Sequence, residues 1–207
     1  FNRANPEAVQ NLTSPGQTWQ ALAEGVIALL AGRRIVDLGC GNGRLARRLA
    51  LAGNTVTGVD SSEEQIRLAS EGANQDASSD ASASPAFRLA SMEDTGLPAA
   101  SFDIAILSQA LHHAAEPSAA VREAHRLLVP GGRLLVLDLL AHEEDWMRTR
   151  FGDFWLGFSE EDLREWTRAA GFRLSKFEIT PPSPEYPELE GVLLVGEKNK
   201  NDEMMGR

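Results

Sequence analysis

One cysteine, Cys40, occurs in 207 residues. That excludes an intrachain disulfide framework and any multi-cysteine metal centre. It fits a reducing, cytoplasmic setting. Basic residues are also scarce: 20 Lys and Arg stand against 30 Asp and Glu, a net charge of −10. An acidic domain repels phosphate backbones, so direct nucleic-acid binding is not expected of this chain. Long apolar runs are missing. The longest, such as Leu134–Ala141, fall well short of the ~20 residues of a membrane span, so no membrane partner is expected. Phe1–Gln10 has neither a basic start nor an apolar run, so no secretory signal is read there. The chain opens on Phe1, which fits a processed form or a piece of something longer. There is no internal repeat.

What is present is ordinary for a soluble globular chain: 43% apolar and 24% charged residues. A chain of this length buries a core without covalent staples. The expected division is an N-terminal segment and helix over 1–32, one main domain over 33–199, and a disordered tail over 200–207. Within the first part, Gln17–Leu30 has helical spacing of Trp19, Leu22, Val26, Ile27 and Leu30. Further on, short apolar or β-branched runs at Arg34–Leu38, Thr55–Val59, Ala86–Ala90, Phe102–Leu107 and Arg133–Leu140 read as strands. Helices are expected at Gly43–Ala52, from Ser61 or Ser62 to about Glu71, and at Pro117–Leu128. Ser159–Ala170 is another, with Ser159 as N-cap and Gly171 as stop. Gly72–Pro85 is low in complexity and reads as a surface loop. Pro130-Gly131-Gly132 reads as a turn. Phe172–Thr180 and Gly191–Val195 are two final strands.

Alternation of strands and helices from Arg34 to Leu140 implies an α/β three-layer sandwich. Its sheet is mostly parallel and Rossmann-like, with helices on both faces. Ligands of such sheets bind at the carboxyl ends of the strands, beside the switch in strand order. The first loop there is Val36-Asp37-Leu38-Gly39-Cys40-Gly41-Asn42-Gly43. Its glycines let the backbone turn and approach a ligand closely, and the helix after it offers its N-terminus to a polar group. Asp37 lies inside the strand. Asp60 ends the next strand, where an acid accepts hydrogen bonds from ribose hydroxyls. The bland alternative is a tight turn with helix-capping acids. Spacing alone leaves a nicotinamide and an adenosyl cofactor both open.

The segment V-D-L-G-C-G-N-G resembles the first motif of class I S-adenosylmethionine-dependent methyltransferases. Val59-Asp60-Ser61-Ser62 resembles their second-strand acid, and Leu107–His113 the segment after their fourth strand. Leu127–Leu134 resembles their "L-x-P-G-G-x-L" entry to the fifth. The family implies seven strands, with one antiparallel strand in a C-terminal β-hairpin. Gly16–Trp19, Ser108–Ala114, Asp138–His142 and Trp155–Phe158 further resemble a subgroup whose methyltransferase domain follows an arsenic-repressor-type winged helix.

The resemblance implies S-adenosyl-L-methionine as cofactor and S-adenosyl-L-homocysteine as product. It places Asp37 at the methionine ammonium group. The backbone of Gly39, Cys40 and Gly41 lies beside the methionine and ribose. Asp60 takes the ribose hydroxyls, and Ser61 lies by the adenine. Met92 packs on the adenine face, with Ser91 or Glu93 at its edge; serine at 91 departs from the family's usual aspartate. Ser108 and Gln109 line the methionine end. The methyl acceptor is expected to be a small molecule. His113 or His142 is the candidate general base, because histidine titrates near neutrality. The blander reading has them pack the lip of the site. Trp146, Phe151, Phe154, Trp155 and Phe158 either roof an apolar substrate or serve as core or homodimer contact. No metal is expected. A nucleic-acid amino-methyltransferase is argued against by Ser108-Gln109-Ala110-Leu111, and cysteine-based arsenite methylation by the single cysteine. The alternative function is an S-adenosylmethionine-sensing domain of a winged-helix regulator; a nicotinamide oxidoreductase is a third reading.

Overall fold

The computed structural model describes residues 30–76, 84–182 and 185–201. The helix expected over Gln17–Leu30, apart from Leu30, lies outside the described residues, as does the tail from 202 onward. In chain order the elements are β1 (Arg34–Leu38), α1 (Arg44–Leu51), β2 (Thr55–Asp60), α2 (Glu63–Asp76), β3 (Ala86–Leu89) and β4 (Phe102–Ser108). A 3-10 turn at Leu111–His113 follows. Then come α3 (Pro117–Leu127), β5 (Leu128–Leu139), α4 (Trp146–Phe151), α5 (Glu160–Ala169), β6 (Phe172–Thr180) and β7 (Gly191–Lys198).

The described strands form one seven-stranded sheet in the order β3-β2-β1-β4-β5-β7-β6. The pairings from β3 through β5 are parallel. β7 runs antiparallel to both β5 and β6. This is the three-layer α/β architecture expected, hairpin included. The reason lies in the strands' two-residue period. Ile35, Val56 and Ile106 face one side with Ala46, Leu49 and Ala50 of α1. Val36, Leu38, Ala105, Leu107, Leu134 and Val136 face the other, against Ala120, Val121, Ala124 and Leu127 of α3 and Leu163 of α5. Each fully buried aliphatic side chain contributes about 1.5–3 kcal/mol.

Three local features differ from the expectation or refine it. α2 continues to Asp76, so the start of the low-complexity stretch, 72–76, is helical: its alanine and polar residues suit a helix end as well as a loop. Pro130-Gly131-Gly132 lies within β5, at an irregularity where Phe102–Ile104 of β4 faces Leu128–Arg133. The expected turn is thus replaced by an irregularity inside the strand, with Gly131 at φ +79. α4 was not expected, because an aromatic-rich run carries no clear helical period. α5 begins as foreseen: the Ser159 side chain accepts from the Asp162 N–H at 3.1 Å.

The chain winds outward from β1 to β3, then returns across the sheet to β4. β1 and β4 are neighbours, so the switch in strand order opens between their carboxyl ends.

Candidate functional site

The loop after β1 is pinned from below. Gly39 and Cys40 N–H both donate to the Val59 carbonyl, at 2.8 and 2.9 Å. Asp60, at the end of β2, ties the loop from the side. One of its carboxylate oxygens accepts from Gly41 N–H at 2.8 Å, the other from Ser62 N–H at 2.9 Å. A carboxylate has about four lone-pair sites, so Asp60 keeps capacity for two more donors. Gly39 has φ +73, and a Cβ there would lie 2.5 Å from that of Ala110. Strain and contact agree. Gly39→Ala is expected to cost more than about 1 kcal/mol of stability and to narrow the mouth of the loop, which a urea melt and a ligand titration check together.

A cleft of about 470 Å³ opens at this point. Gly39, Gly41, Asp60 and Ser61 line one side; Met92, Gln109, Ala110, His113 and Phe151 line the other. Ser62 and Gln65 complete the wall. Gln109 sits in the left-handed region at φ +52, a conformation uncommon outside glycine and typical of places where geometry matters more than ease. Its N–H donates to Leu137 at 2.7 Å.

Asp37 is only 2% exposed, and its Oδ2 has no hydrogen-bond partner. Burial, with the Asp60 charge adding to it, pushes its carboxyl up to about 7. A buried acid left unpaired at the end of a glycine loop is costly by itself. It suits a ligand that brings a cation. The donor set therefore fits an amino-acid-bearing nucleoside: an acid for an ammonium, a second acid for ribose hydroxyls, and Met92 beside a flat ring.

Other expected residues sit off the cleft wall. Cys40 is buried, and burial raises its thiol pKa, with the Asp37 charge adding. A Cβ on Gly58 would lie 2.9 Å from its sulfur, so only its backbone faces the loop's other side. Ser91 and Glu93 hydrogen-bond each other. The second Glu93 oxygen accepts from Ala115 N–H at 2.8 Å. Burial opposes ionisation of Glu93, but the Ser91 and backbone donors outweigh it and lower its pKa. Its carboxylate thus ties the start of α3 to the loop after β3. Ser108 ends β4 and pairs with Leu137.

The histidines after β4 and β5 gather around two buried acids. His112 donates from Nδ1 to Asp138 at 2.7 Å. Asp138 is fully buried and also accepts from Leu111 N–H at 3.0 Å and Leu139 N–H at 2.8 Å. Burial lowers the His112 pKa, but Asp138 and Asp153 outweigh it and leave it raised. Burial and the His112 charge lower that of His113. Burial lowers that of His142 as well. The His142 Nδ1 accepts from Glu144 N–H at 3.2 Å. Its neutral form then carries its proton on Nε2, so its lone pair is already used.

Asp153 was not singled out by sequence. It is 3% exposed, and neither carboxylate oxygen has a hydrogen-bond partner. It follows α4, in a segment whose Phe154 and Trp155 N–H groups both donate to the His112 carbonyl. Ala141 N–H then donates to Phe158, and His142 N–H to Leu156. The aromatic run thus folds across the ends of β4 and β5. Phe151 lines the cleft, Phe158 is core, and Phe154 and Trp155 stay exposed. The only sequence signal for Asp153 was a lone acid amid aromatics.

Comparison with known proteins adds independent findings. Residues 36–136 match the family described as a methyltransferase domain. Over 117 residues the chain is 38% identical to the 27-O-demethylrifamycin SV methyltransferase of Amycolatopsis mediterranei, covering 56% of this chain and 42% of that one. It is 28% identical over 162 residues to a ubiquinone biosynthesis O-methyltransferase of Pseudomonas syringae pv. tomato, covering 71% and 67%. The chain thus spans less than half of the first relative's length. Its fold superposes on an S-adenosylmethionine-dependent methyltransferase from Mesorhizobium loti with a TM-score of 0.70 at 21% identity, over 87% of this chain and 97% of that one. Among the described residues no helix is long and apolar enough to cross a membrane. Strand order and the match over 36–136 agree: this part of the chain is similar to the methyltransferase-domain family and lies on the Rossmann-like sheet that its solved neighbours share.

Proposed function

We propose that this protein methylates an oxygen of a small, partly apolar molecule in the cytoplasm. The observation that carries the cofactor half is the buried, unpartnered Asp37 oxygen behind the glycine loop. The relatives with matching sequence are named as a 27-O-demethylrifamycin SV methyltransferase and a ubiquinone biosynthesis O-methyltransferase, which supports the acceptor class.

Bound in the cleft, S-adenosylmethionine supplies a methyl group already activated on a sulfonium sulfur. The chain's task is to hold and align. Asp37 takes the ammonium, and the Gly39–Gly41 backbone lies along the methionine. Asp60 takes the ribose hydroxyls, while Ser61 and Met92 contact the adenine. Gln109, with Ser108 behind it, borders the methionine end. The acceptor enters between His113 and Phe151. A hydroxyl acceptor must give up a proton. His113 lines the cleft, and its lowered pKa keeps its ring neutral near pH 7. His142 has spent its lone pair on Glu144, so the geometry favours His113.

The test is calorimetric titration with S-adenosylmethionine, S-adenosylhomocysteine and NADH. The first two should bind in the micromolar range and NADH should not. Asp60→Ala, checked for folding by its melt, should lose at least tenfold in affinity, since charge-assisted hydrogen bonds are worth about 1.5–3 kcal/mol. Binding of NADH alone would overturn the reading. The sensing alternative, with an arsenic-repressor-type fusion, predicts adenosyl binding without turnover. A screen of phenolic and hydroxyl acceptors separates the two.

A further inference from the structure

The buried acid Asp153 is left unexplained by cofactor binding. Among the described residues, His112, His113 and Asp153 offer one ligand atom each, all within 4.8 Å of one another. His112 Nε2 lies 3.8 Å from Asp153 Oδ1, and His113 Nε2 lies 4.0 Å from the same oxygen. Ligand atoms about 2.1 Å from a tetrahedral metal stand about 3.4 Å apart, so a small inward movement of three side chains brings them to bonding distance.

Three further observations point the same way. Asp153 is nine-tenths buried and more, with both oxygens unpartnered; that is a costly state unless a cation joins it. The other nitrogen of His112 is fixed as a donor by Asp138, itself held by two backbone N–H groups. That leaves Nε2 as the nitrogen facing Asp153, where a metal cation would displace its proton. This carboxylate–histidine arrangement is the one that orients histidine ligands around metals. Finally, His113 belongs both to this cluster and to the cleft wall, so a bound ion would border the acceptor space.

We propose that His112, His113 and Asp153 form a binding site for a first-row divalent cation, with two imidazoles, one carboxylate and open positions toward the cleft. Two nitrogens and one oxygen favour Zn²⁺, Fe²⁺ or Co²⁺ over Mg²⁺, which prefers oxygen ligands. Such an ion lowers the pKa of an oxygen bound to it. A hydroxyl of the acceptor would then release its proton to water. This use of the site rests on the methyl-transfer reading above; the site itself does not. With a cation present, the His113 lone pair serves as a ligand and not as a base.

Co²⁺ titration of the metal-free protein, followed by visible absorption, tests it, with Zn²⁺ as competitor and Mg²⁺ as control. One Co²⁺ per chain should bind, with bands displaced by equimolar Zn²⁺ and unaffected by millimolar Mg²⁺. Asp153→Asn and His113→Gln should each weaken binding at least tenfold, and Asp138→Asn by about 10- to 100-fold. S-adenosylhomocysteine binding is measured on the same samples; Asp153→Asn should leave it intact, which separates failure of the metal site from failure of the cofactor reading. His112 is too buried to serve as the sole variant. Absence of Co²⁺ bands in the wild type, or bands that survive both Asp153→Asn and His113→Gln, would overturn the proposal and leave His113 as an acid–base group.

Discussion

Asp37→Asn will make the ligand-free protein more stable at pH 8 while weakening S-adenosylmethionine about 10- to 100-fold. The two effects have one source. In the folded protein the Asp37 carboxyl is pushed from 3.8 up to about 7 by burial and by Asp60. Its contribution to stability is complete below pH 3.8. It is lost progressively as pH rises, at about 1.4 kcal/mol per pH unit, until the carboxyl has ionised above about 7. The full penalty is then about 4 kcal/mol as an upper figure. Asparagine removes it, since an amide does not ionise. The cost appears on binding: a ligand ammonium meets a neutral amide, and a charge-assisted contact worth about 1.5–3 kcal/mol is lost. The measurement is urea unfolding of both proteins between pH 4 and 8. The wild type should lose stability relative to the variant across that window. Parallel curves would show that Asp37 ionises freely. Binding an ammonium to Asp37 near pH 6 also expels a proton, so wild-type affinity should rise from pH 5 to pH 8 and that of the variant should not.

Asp138→Ala is expected to be the most destabilising single change in the site, by about 3–5 kcal/mol. No ligand is needed to see it. The Asp138 side chain is fully buried and accepts from Leu111, Leu139 and His112. Alanine leaves two backbone N–H groups and an imidazole without an acceptor in a site closed to water. The 3-10 turn at Leu111–His113 depends on that carboxylate for its first N–H. Asp138→Asn keeps one carbonyl oxygen and should lose less. A urea midpoint shift checks both; a loss under about 1 kcal/mol for alanine would mean that water enters and replaces the acceptor.

How much was legible in the sequence follows from how local each signal is. Asp37, Gly39, Gly41 and Asp60 stand within one βαβ stretch, where spacing alone dictates placement, and they converge at the switch in strand order. Ser159 announced its helix through a capping pattern that needs only four residues. The Pro130–Gly132 irregularity was half visible: glycines signal a turn, but that the strand begins before it is decided by pairing with Phe102 across the sheet. Asp153 was hidden for a related reason. A single acid among aromatics has no period, and its meaning comes from His112 and His113, some forty residues earlier in the chain. Glu93 reads as a ligand group by position, yet its partners are Ser91 and two N–H groups at the start of α3. Tertiary hydrogen bonds at such separations leave no mark on neighbouring residues.

The return of the chain across the sheet after β3 has a consequence for how such a protein can change its chemistry. Nearly every group that would hold the cofactor precedes residue 98, and every group facing the acceptor follows residue 108. Specificity is thereby heritable as one uninterrupted block of sequence, and recombination between relatives needs a single crossover in the β3–β4 connection. Besides the Glu93 carboxylate that reaches the start of α3, that join has a second stitch to respect. Thr95 donates through both its N–H and its hydroxyl to Glu123, which Arg126 also grips. A hybrid that keeps this trio compatible inherits a ready cofactor cleft together with a new acceptor wall.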